Sequence, residues 1–297
     1  MIEIREILCP IDFSETSRHA LEHAAAMAKW YSSRLTAMHV LVPVLPQPPI
    51  LLAEASSAPP TPADRRACED ELRAWLEPAR RAGLPTETLV DEGNPAARIL
   101  DRARARNADL IVMGTHGLGG FERFMLGSVA EKTLRKADCP VMTVPPSAQT
   151  AAKVPYTRLL CPIDFSESSM AAFRFALSIA QEADARLTIL HVFEWTPENE
   201  LLVQRFDTPE FRRLVEQDTR QRLDALVTDD ARVWCKPSTV VAHGKPYREI
   251  LALAEREAAD LIVIGVRGRN PLDLVLFGST THHVVRRAQC PVLTLKR

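Results

Sequence analysis

Leu110-Ile-Val-Met-Gly-Thr-His-Gly-Leu-Gly-Gly-Phe-Glu-Arg-Phe-Met-Leu-Gly-Ser-Val129 decides how this chain folds. Its opening run, Leu110 to Met113, is the short apolar stretch expected of a strand buried on both faces of a parallel sheet. Glycines follow at Gly114 and Gly117. After nine further residues, Gly127-Ser128 opens an amphipathic helical pattern that reaches about Lys136. A buried strand, a glycine-rich loop and a helix N-terminus in that order form a cradle for phosphate. Glycine is expected to supply positive φ and let the backbone approach a ligand. The free N–H groups and positive dipole end of the helix then favour an anion. Ser128 adds a hydroxyl that can donate to a phosphate oxygen or cap the helix. The spacing is not that of a Walker loop, and Glu122 stands where a dinucleotide fingerprint needs its third glycine.

A second copy removes the reading of these glycines as mere turns. Ala108-Asp-Leu-Ile-Val-Met-Gly114 returns as Ala259-Asp-Leu-Ile-Val-Ile-Gly265, and Cys9-Pro-Ile-Asp-Phe-Ser-Glu15 returns as Cys161-Pro-Ile-Asp-Phe-Ser-Glu167. Cys139-Pro-Val-Met-Thr143 returns as Cys290-Pro-Val-Leu-Thr294, and the second glycine set is Gly265, Gly268 and Gly278-Ser279. The chain therefore reads as two homologous domains, 1–146 and 154–297, joined by a proline-bounded linker of small residues.

Within each half, strands alternate with helices. In the first, strands are expected at Glu3–Leu8, Leu35–Leu41, Thr86–Val90, Leu110–Met113 and Pro140–Val144. Helices are expected from the Ser14 cap to about Tyr31, from about Ala63 to Ala82, from Pro95 to about Arg106, and from Ser128. Strands separated by helices pair in parallel through right-handed crossovers, which gives a doubly wound α/β sheet. Ligands on such sheets bind beyond the carboxyl ends of the strands, at the switch point. Asp12 and Gly114 both lie there. Asp12, acceptor-only when ionised, can take hydrogen bonds from hydroxyls of a ligand; the alternative is a helix-entry residue ahead of the Ser14 cap.

Composition narrows the class. The 297 residues carry a formal net charge of −1, so no basic surplus points to nucleic acid. No apolar run approaches the roughly 18 residues that span a bilayer. The first residues alternate and include acids, as a strand does and a signal peptide does not. The six cysteines form no Cys-x-x-Cys pair and read as reduced, mostly buried thiols of a cytoplasmic protein.

Pro-Ile-Asp-Phe-Ser after the first strand, then Gly-x2-Gly-x9-Gly-Ser, then Cys-Pro-Val, resembles the universal stress protein family over nearly the whole chain. The resemblance implies two tandem five-stranded parallel-sheet domains, Rossmann-like and of the adenine nucleotide alpha hydrolase kind, paired inside one chain as a pseudo-dimer. Val141–Val144 and Val292–Leu295 would be the pairing edges, and a homodimer of chains stays open. It also implies ATP, with magnesium, as ligand. Asp12 would meet the ribose, while Pro10, Ile11 and Val40 would wall the adenine. Met113, Gly114, Gly117, Gly127, Ser128 and Val129 would surround the phosphates and sugar. The matching second-half positions are Asp164, Val192, Gly265, Gly268, Gly278 and Ser279. The function implied is a cytoplasmic stress-response regulator or sensor that couples nucleotide occupancy to an unidentified protein partner. A slow ATPase or self-phosphorylating enzyme, and an adaptor independent of nucleotide, are the other readings.

One helix terminus attracts an anion by roughly 0.3–1 kcal/mol, or up to ~2 when partly buried. Micromolar affinity needs about −8 kcal/mol, so a base pocket and several donors must act together. The halves also differ. The first loop carries Gly119-Gly120 and Arg123; the second has Asn270-Pro271 and Leu274 there, with Arg267 and Arg269 nearby, and Thr280 replaces Val129. A tighter first site and a weak or empty second one are expected. No catalytic order and no metal set is assigned. His19 and His23 read as a surface pair, His39 and His191 as core or pocket residues, His116 as an exposed loop residue, and His282-His283 as no ligand set. Arg98 to Arg106 reads as a solvated helix face. The apolar residues of Pro43–Pro62, and the counterpart Glu194–Pro209 with Trp195 and Phe206, read as loops bearing specificity.

Overall fold

The computed structural model describes residues 2–43, 60–117, 126–148, 154–194, 208–266 and 278–296. The chain divides into two compact units between Pro146 and Ser147. The first contains β1 (Glu6–Pro10), α1 (Glu15–Tyr31), β2 (Arg34–Leu41), α2 (Pro62–Arg81), β3 (Thr86–Glu92), α3 (Pro95–Ala105), β4 (Leu110–Gly114), α4 (Ser128–Lys136) and β5 (Val141–Val144). The second contains β6 (Arg158–Pro162), α5 (Glu167–Glu182), β7 (Arg186–Phe193), α6 (Pro209–Leu226), α7 (Asp229–Trp234) and β8 (Pro237–His243). It continues with α8 (Pro246–Arg256), β9 (Leu261–Gly265), α9 (Ser279–Arg287) and β10 (Val292–Leu295).

Each unit is a parallel sheet, ordered β3-β2-β1-β4-β5 in the first and β8-β7-β6-β9-β10 in the second. The chain walks outward from β1 to β3, then returns across to β4 and β5. With right-handed crossovers, α1 and α2 cover one face and α3 and α4 the other. The reversal lies between β1 and β4, paired through Ile7 with Leu110 and Leu8 with Ile111. A crevice opens outside their carboxyl ends.

Local chemistry sets the boundaries. The Ser14 Oγ accepts from the Ser17 N–H at 3.1 Å and starts α1. Thr61 and Asp64 exchange bonds in a capping box at α2. Asn94 accepts from Ala97 N–H at 3.1 Å and Pro95 supplies the first residue of α3. The first strand begins later than the alternation suggested, at Glu6 and not Glu3, and runs on to Pro10. The cause is Asp109, whose Oδ2 accepts from the N–H of Arg5 at 2.7 Å and of Glu6 at 3.0 Å. A side chain thus satisfies the backbone where the ladder has not begun. Asp260 does the same for the second unit, accepting from Thr157 N–H and Oγ1 and from Arg158 N–H at 2.8–2.9 Å. The repeated Ala-Asp-Leu-Ile-Val string therefore carries its aspartate to hold the start of the neighbouring strand.

The cysteines divide: Cys9, Cys161 and Cys235 are buried, and Cys68, Cys139 and Cys290 only partly so, none joined in a disulfide. Burial pushes the Cys9 and Cys161 thiols far above their ordinary range, so neither is a nucleophile. The Arg98–Arg106 face is less solvated than its pattern implied. Arg102 grips Asp91 with two bonds of 2.7 Å, and Arg106 reaches Glu6 and Glu87. His23, expected at the surface, is buried at 2% exposure because α1 turns that side toward the sheet.

Two stability outcomes follow from these clamps. Asp260→Ala orphans three donors and is expected to cost roughly 2–3 kcal/mol in a urea melt; an unchanged midpoint would count against the clamp. The hydrogen bond from Arg102 holds the Asp91 carboxyl below its ordinary value. Its contribution is therefore present at neutral pH and lost as pH falls through the carboxylate range. Asp91→Asn is expected to cost about 1 kcal/mol at neutral pH, Arg102 being half exposed, with the difference shrinking below about pH 4.

Candidate functional site

Beyond β1 the chain turns through Ile11-Asp12-Phe13-Ser14, with Phe13 at φ 62°. Left-handed backbone at a bulky residue costs of order 1–3 kcal/mol and needs support from its surroundings. The Ile11 N–H donates to Met38 O at 2.7 Å, and the His39 Nδ1–H donates to Ile11 O at 2.8 Å. The Phe13 ring lies 4.7 Å from the His39 ring and meets Trp75 edge-on at 5.4 Å. Asp12 Oδ1 accepts from Ser14 N–H at 3.1 Å and Ser14 Oγ at 2.6 Å. The helix-entry role of Asp12 is thus real, but it engages one oxygen. The other, Oδ2, lies over Gly117, where a Cβ would stand 2.3 Å from it.

The glycines serve by their lack of bulk, not by positive φ, which none of Gly114, Gly117 and Gly127 adopts. A Cβ on Gly114 would fall 2.8 Å from Thr16 Cγ2 and 3.3 Å from the Thr16 backbone carbon. The end of β4 and the start of α1 touch there. A Cβ on Gly127 would stand 3.2 Å from Thr115 O, which accepts the Gly127 N–H at 2.9 Å. That bond closes the base of the loop. Gly127 is itself the N-cap of α4, so Ser128 is the first helical residue and not the cap. No side chain caps α4, whereas Ser14, Thr61 and Asn94 cap α1, α2 and α3. The first-turn N–H groups of α4 stay available to an anion.

These parts surround one cavity of about 950 Å³. Pro10, Ile11, Asp12, Val40, Met113, Gly114, Gly117, Gly127, Ser128 and Val129 all line it. So do residues that motif reading missed: Ser17, Met38, Pro95, Ile99, Thr115 and Ala130. Pro95 and Ile99 are four apart on the apolar side of α3, a periodicity visible in the sequence but not assignable to a cavity. His39 and His116 also line it, so His116 is a pocket residue, its Nδ1 2.8 Å from Thr115 Oγ1. Gly119, Gly120, Arg123 and the apolar residues of the proline-rich insert lie outside the described residues.

The second unit repeats the frame. Phe165 has φ 63°, Asp164 Oδ1 accepts from Ser166 N–H and Oγ, and His191 Nδ1–H donates to Ile163 O at 2.7 Å. Its cavity is only about 120 Å³, with Asp164, Val192, Gly265 and Gly278 in the wall. Ser279, expected there, is not among the wall residues; Thr280 and Thr281 are. Thr281, in the place of Ala130, donates its hydroxyl to Gly265 O at 2.7 Å and spans the floor. Gly268, Arg267, Arg269, Asn270, Pro271, Leu274, Trp195 and Phe206 lie outside the described residues. A volume near 1,000 Å³ suits a small-molecule ligand, and the second cavity, at about 120 Å³, falls below the range of such pockets. Among the described residues no group of three His, Cys, Asp or Glu side chains is placed to hold a metal. No described helix is long and apolar enough to cross a membrane.

The sequence model described as the Universal stress protein family matches residues 3–145 and 155–296. A universal stress protein of Methanocaldococcus jannaschii is 37% identical over 142 residues, covering 47% of this chain and 81% of that protein. One from Mycobacterium tuberculosis is 27% identical over 297 residues, 98% of this chain and 96% of that protein. The crystal structure of a universal stress protein from Archaeoglobus fulgidus is similar with a TM-score of 0.70 at 23% identity, covering 100% of both chains, a likeness of fold.

The crowding around the glycines separates two substitutions. Gly114→Asp drives a side chain into α1 and is expected to destabilise by roughly 1–3 kcal/mol from overpacking alone. Gly117→Ala displaces only the Asp12 carboxylate and is expected to leave the unfolding midpoint nearly unchanged. Chemical melts of the two variants check this, and equal losses would contradict the assignment.

Proposed function

This chain belongs to the universal stress protein family, and from that premise we propose that its first unit binds ATP and that occupancy of this site governs a protein partner. One observation carries the reading. The 950 Å³ cavity brings an apolar wall, a half-engaged carboxylate and an uncapped helix N-terminus to the same space. Ile11, Met38, Val40 and Met113 offer the flat apolar slot a purine needs. Asp12 Oδ2 accepts from the ribose hydroxyls, since Oδ1 is held by Ser14. The N–H groups at the start of α4 and the Ser128 hydroxyl receive the phosphates, aided by the helix dipole. Magnesium enters on the phosphate oxygens. The protein resides in the cytoplasm in this reading.

The second unit contributes the same frame with its floor filled by Thr281, so one nucleotide per chain is the stoichiometry proposed. Calorimetric titration with magnesium ATP tests both points. Asp12→Ala is expected to weaken binding about ten- to a hundredfold, the worth of hydrogen bonds to a charged group, while Asp164→Ala leaves affinity unchanged. Two equivalents bound, or equal loss from both substitutions, would overturn the asymmetry. No heat from the folded wild-type chain would overturn the nucleotide reading itself.

A further inference from the structure

The second unit carries a cationic cluster that its fold does not require. Lys245 is the N-cap of α8, yet its side chain makes no capping bond, and Pro246 opens the helix. Tyr247 stacks on His283 of α9 with ring centroids 4.4 Å apart and planes 27° from parallel. Arg248 and Arg287 bring their guanidinium carbons 5.9 and 5.7 Å from the Tyr247 ring, and Arg248 Nε donates to the Tyr247 hydroxyl at 3.2 Å. Arg286 is one turn from His283. His283 Nδ1 and Arg286 Nε are both enclosed without a hydrogen-bond partner. The nearby acid, Glu249, is turned back toward Gly244, its Oε1 2.8 Å from where a Cβ of that glycine would stand.

The repeat supplies the comparison. Through the register that equates Gly114 with Gly265, these positions in the first unit are Asn94, Ala96, Ala97, Lys132, Arg135 and Lys136, with the acid Glu131 in the place of His282. There Asn94 caps its helix. The second unit has thus lost a cap and gained a tyrosine with two cations beside it, Lys245 and Arg248, while His282, His283 and Glu249 stand in place of Glu131, Lys132 and Arg98. Gathering like charges costs free energy unless an anion joins them. The side chains register the excess. The Arg248 hydrogen bond, then the charges of Arg248, Lys245 and Arg287, draw the Tyr247 hydroxyl below its ordinary value. Burial, then the charges of His282, Arg287 and Arg286, holds the His283 imidazole below its own.

We propose that the Lys245–Tyr247–Arg248 corner of α8 and the His283–Arg286–Arg287 face of α9 form a binding site for a phosphate-sized tetrahedral oxyanion, free phosphate or a phosphate monoester. Arg248 and Arg287 provide donors on either helix, Lys245 adds charge, and the Tyr247–His283 stack joins α8 to α9. The site is separate from the nucleotide cavity of the first unit and does not depend on it.

The test follows the His283 ring resonances, assigned by their absence in His283→Gln, as the full chain is titrated with inorganic phosphate or glycerol 3-phosphate. Magnesium ATP is present throughout to fill the first cavity, and chloride matches the ionic strength. A saturable shift is expected, with affinity reduced roughly tenfold or more in Arg248→Ala/Arg287→Ala, both side chains being exposed. Lys245→Gln gives a smaller loss. Tighter binding of the ester assigns the site to monoesters, and equal affinity assigns it to free phosphate. A shift that chloride reproduces, or that the double variant retains in full, overturns the proposal. Because the readout is His283, it stands whether or not ATP binds.

Discussion

The end of the strand next to the central one, β4 in the first unit and β9 in the second, and the start of the unit's first helix approach each other until only a hydrogen atom fits between them. A Cβ on Gly265 would lie 2.7 Å from the Ser168 carbonyl carbon and from the Ser169 nitrogen, and Gly114 meets Thr16 with little more room. Everything at the carboxyl edge of each sheet depends on that contact. It brings the β1–α1 turn, with its aspartate, against the loop that follows β4. Were the two elements a few ångströms further apart, Asp12 would face solvent and Gly117 would have no carboxylate above it. The crevice exists because the strand order reverses between β1 and β4, and the close packing determines how narrow it is.

The turn itself stores strain and disperses it. Phe13 and Phe165 adopt a backbone conformation that suits glycine, and in each unit a histidine of the next strand donates to the preceding carbonyl. The aromatic support differs. Phe13 meets Trp75, over which Arg18 lies at 4.2 Å; Phe165 lies under Arg222 at 4.1 Å. The duplicated motif is therefore held by the same hydrogen bonds and by different packing. Divergence has been free where the contact is one of bulk, and restricted where a buried carbonyl needs its donor.

The two units share a frame and differ in the space it leaves. In the first, small or apolar residues at Val129 and Ala130 leave the cavity open, and α4 begins without a cap. In the second, Thr281 bonds across to Gly265 O and closes the equivalent floor, while Arg248 and Arg287 gather at the Tyr247 ring between α8 and α9. A duplicated frame can keep its backbone while the cavities it encloses differ, because the contacts that maintain the fold are not the side chains that line the cavity.

Much of this was legible in the residues alone. The repeat, the glycine spacing and the strand–helix alternation specify two parallel α/β units, because hydrophobic period, capping residues and crossover handedness leave few alternatives. They also place Asp12 and Gly114 at one edge, since both follow strand ends. What sequence could not show is what depends on distance between segments remote along the chain. Asp109 is one letter of a repeated string in the sequence, and in the fold it holds the start of β1. The glycines looked like sources of backbone freedom and proved to be points of contact. His23 faces the sheet, and Pro95 and Ile99 of α3 reach the cavity. Periodicity fixes which residues share a face; only the packed structure decides what that face meets, because contact free energy depends on ångström separations that no local pattern encodes.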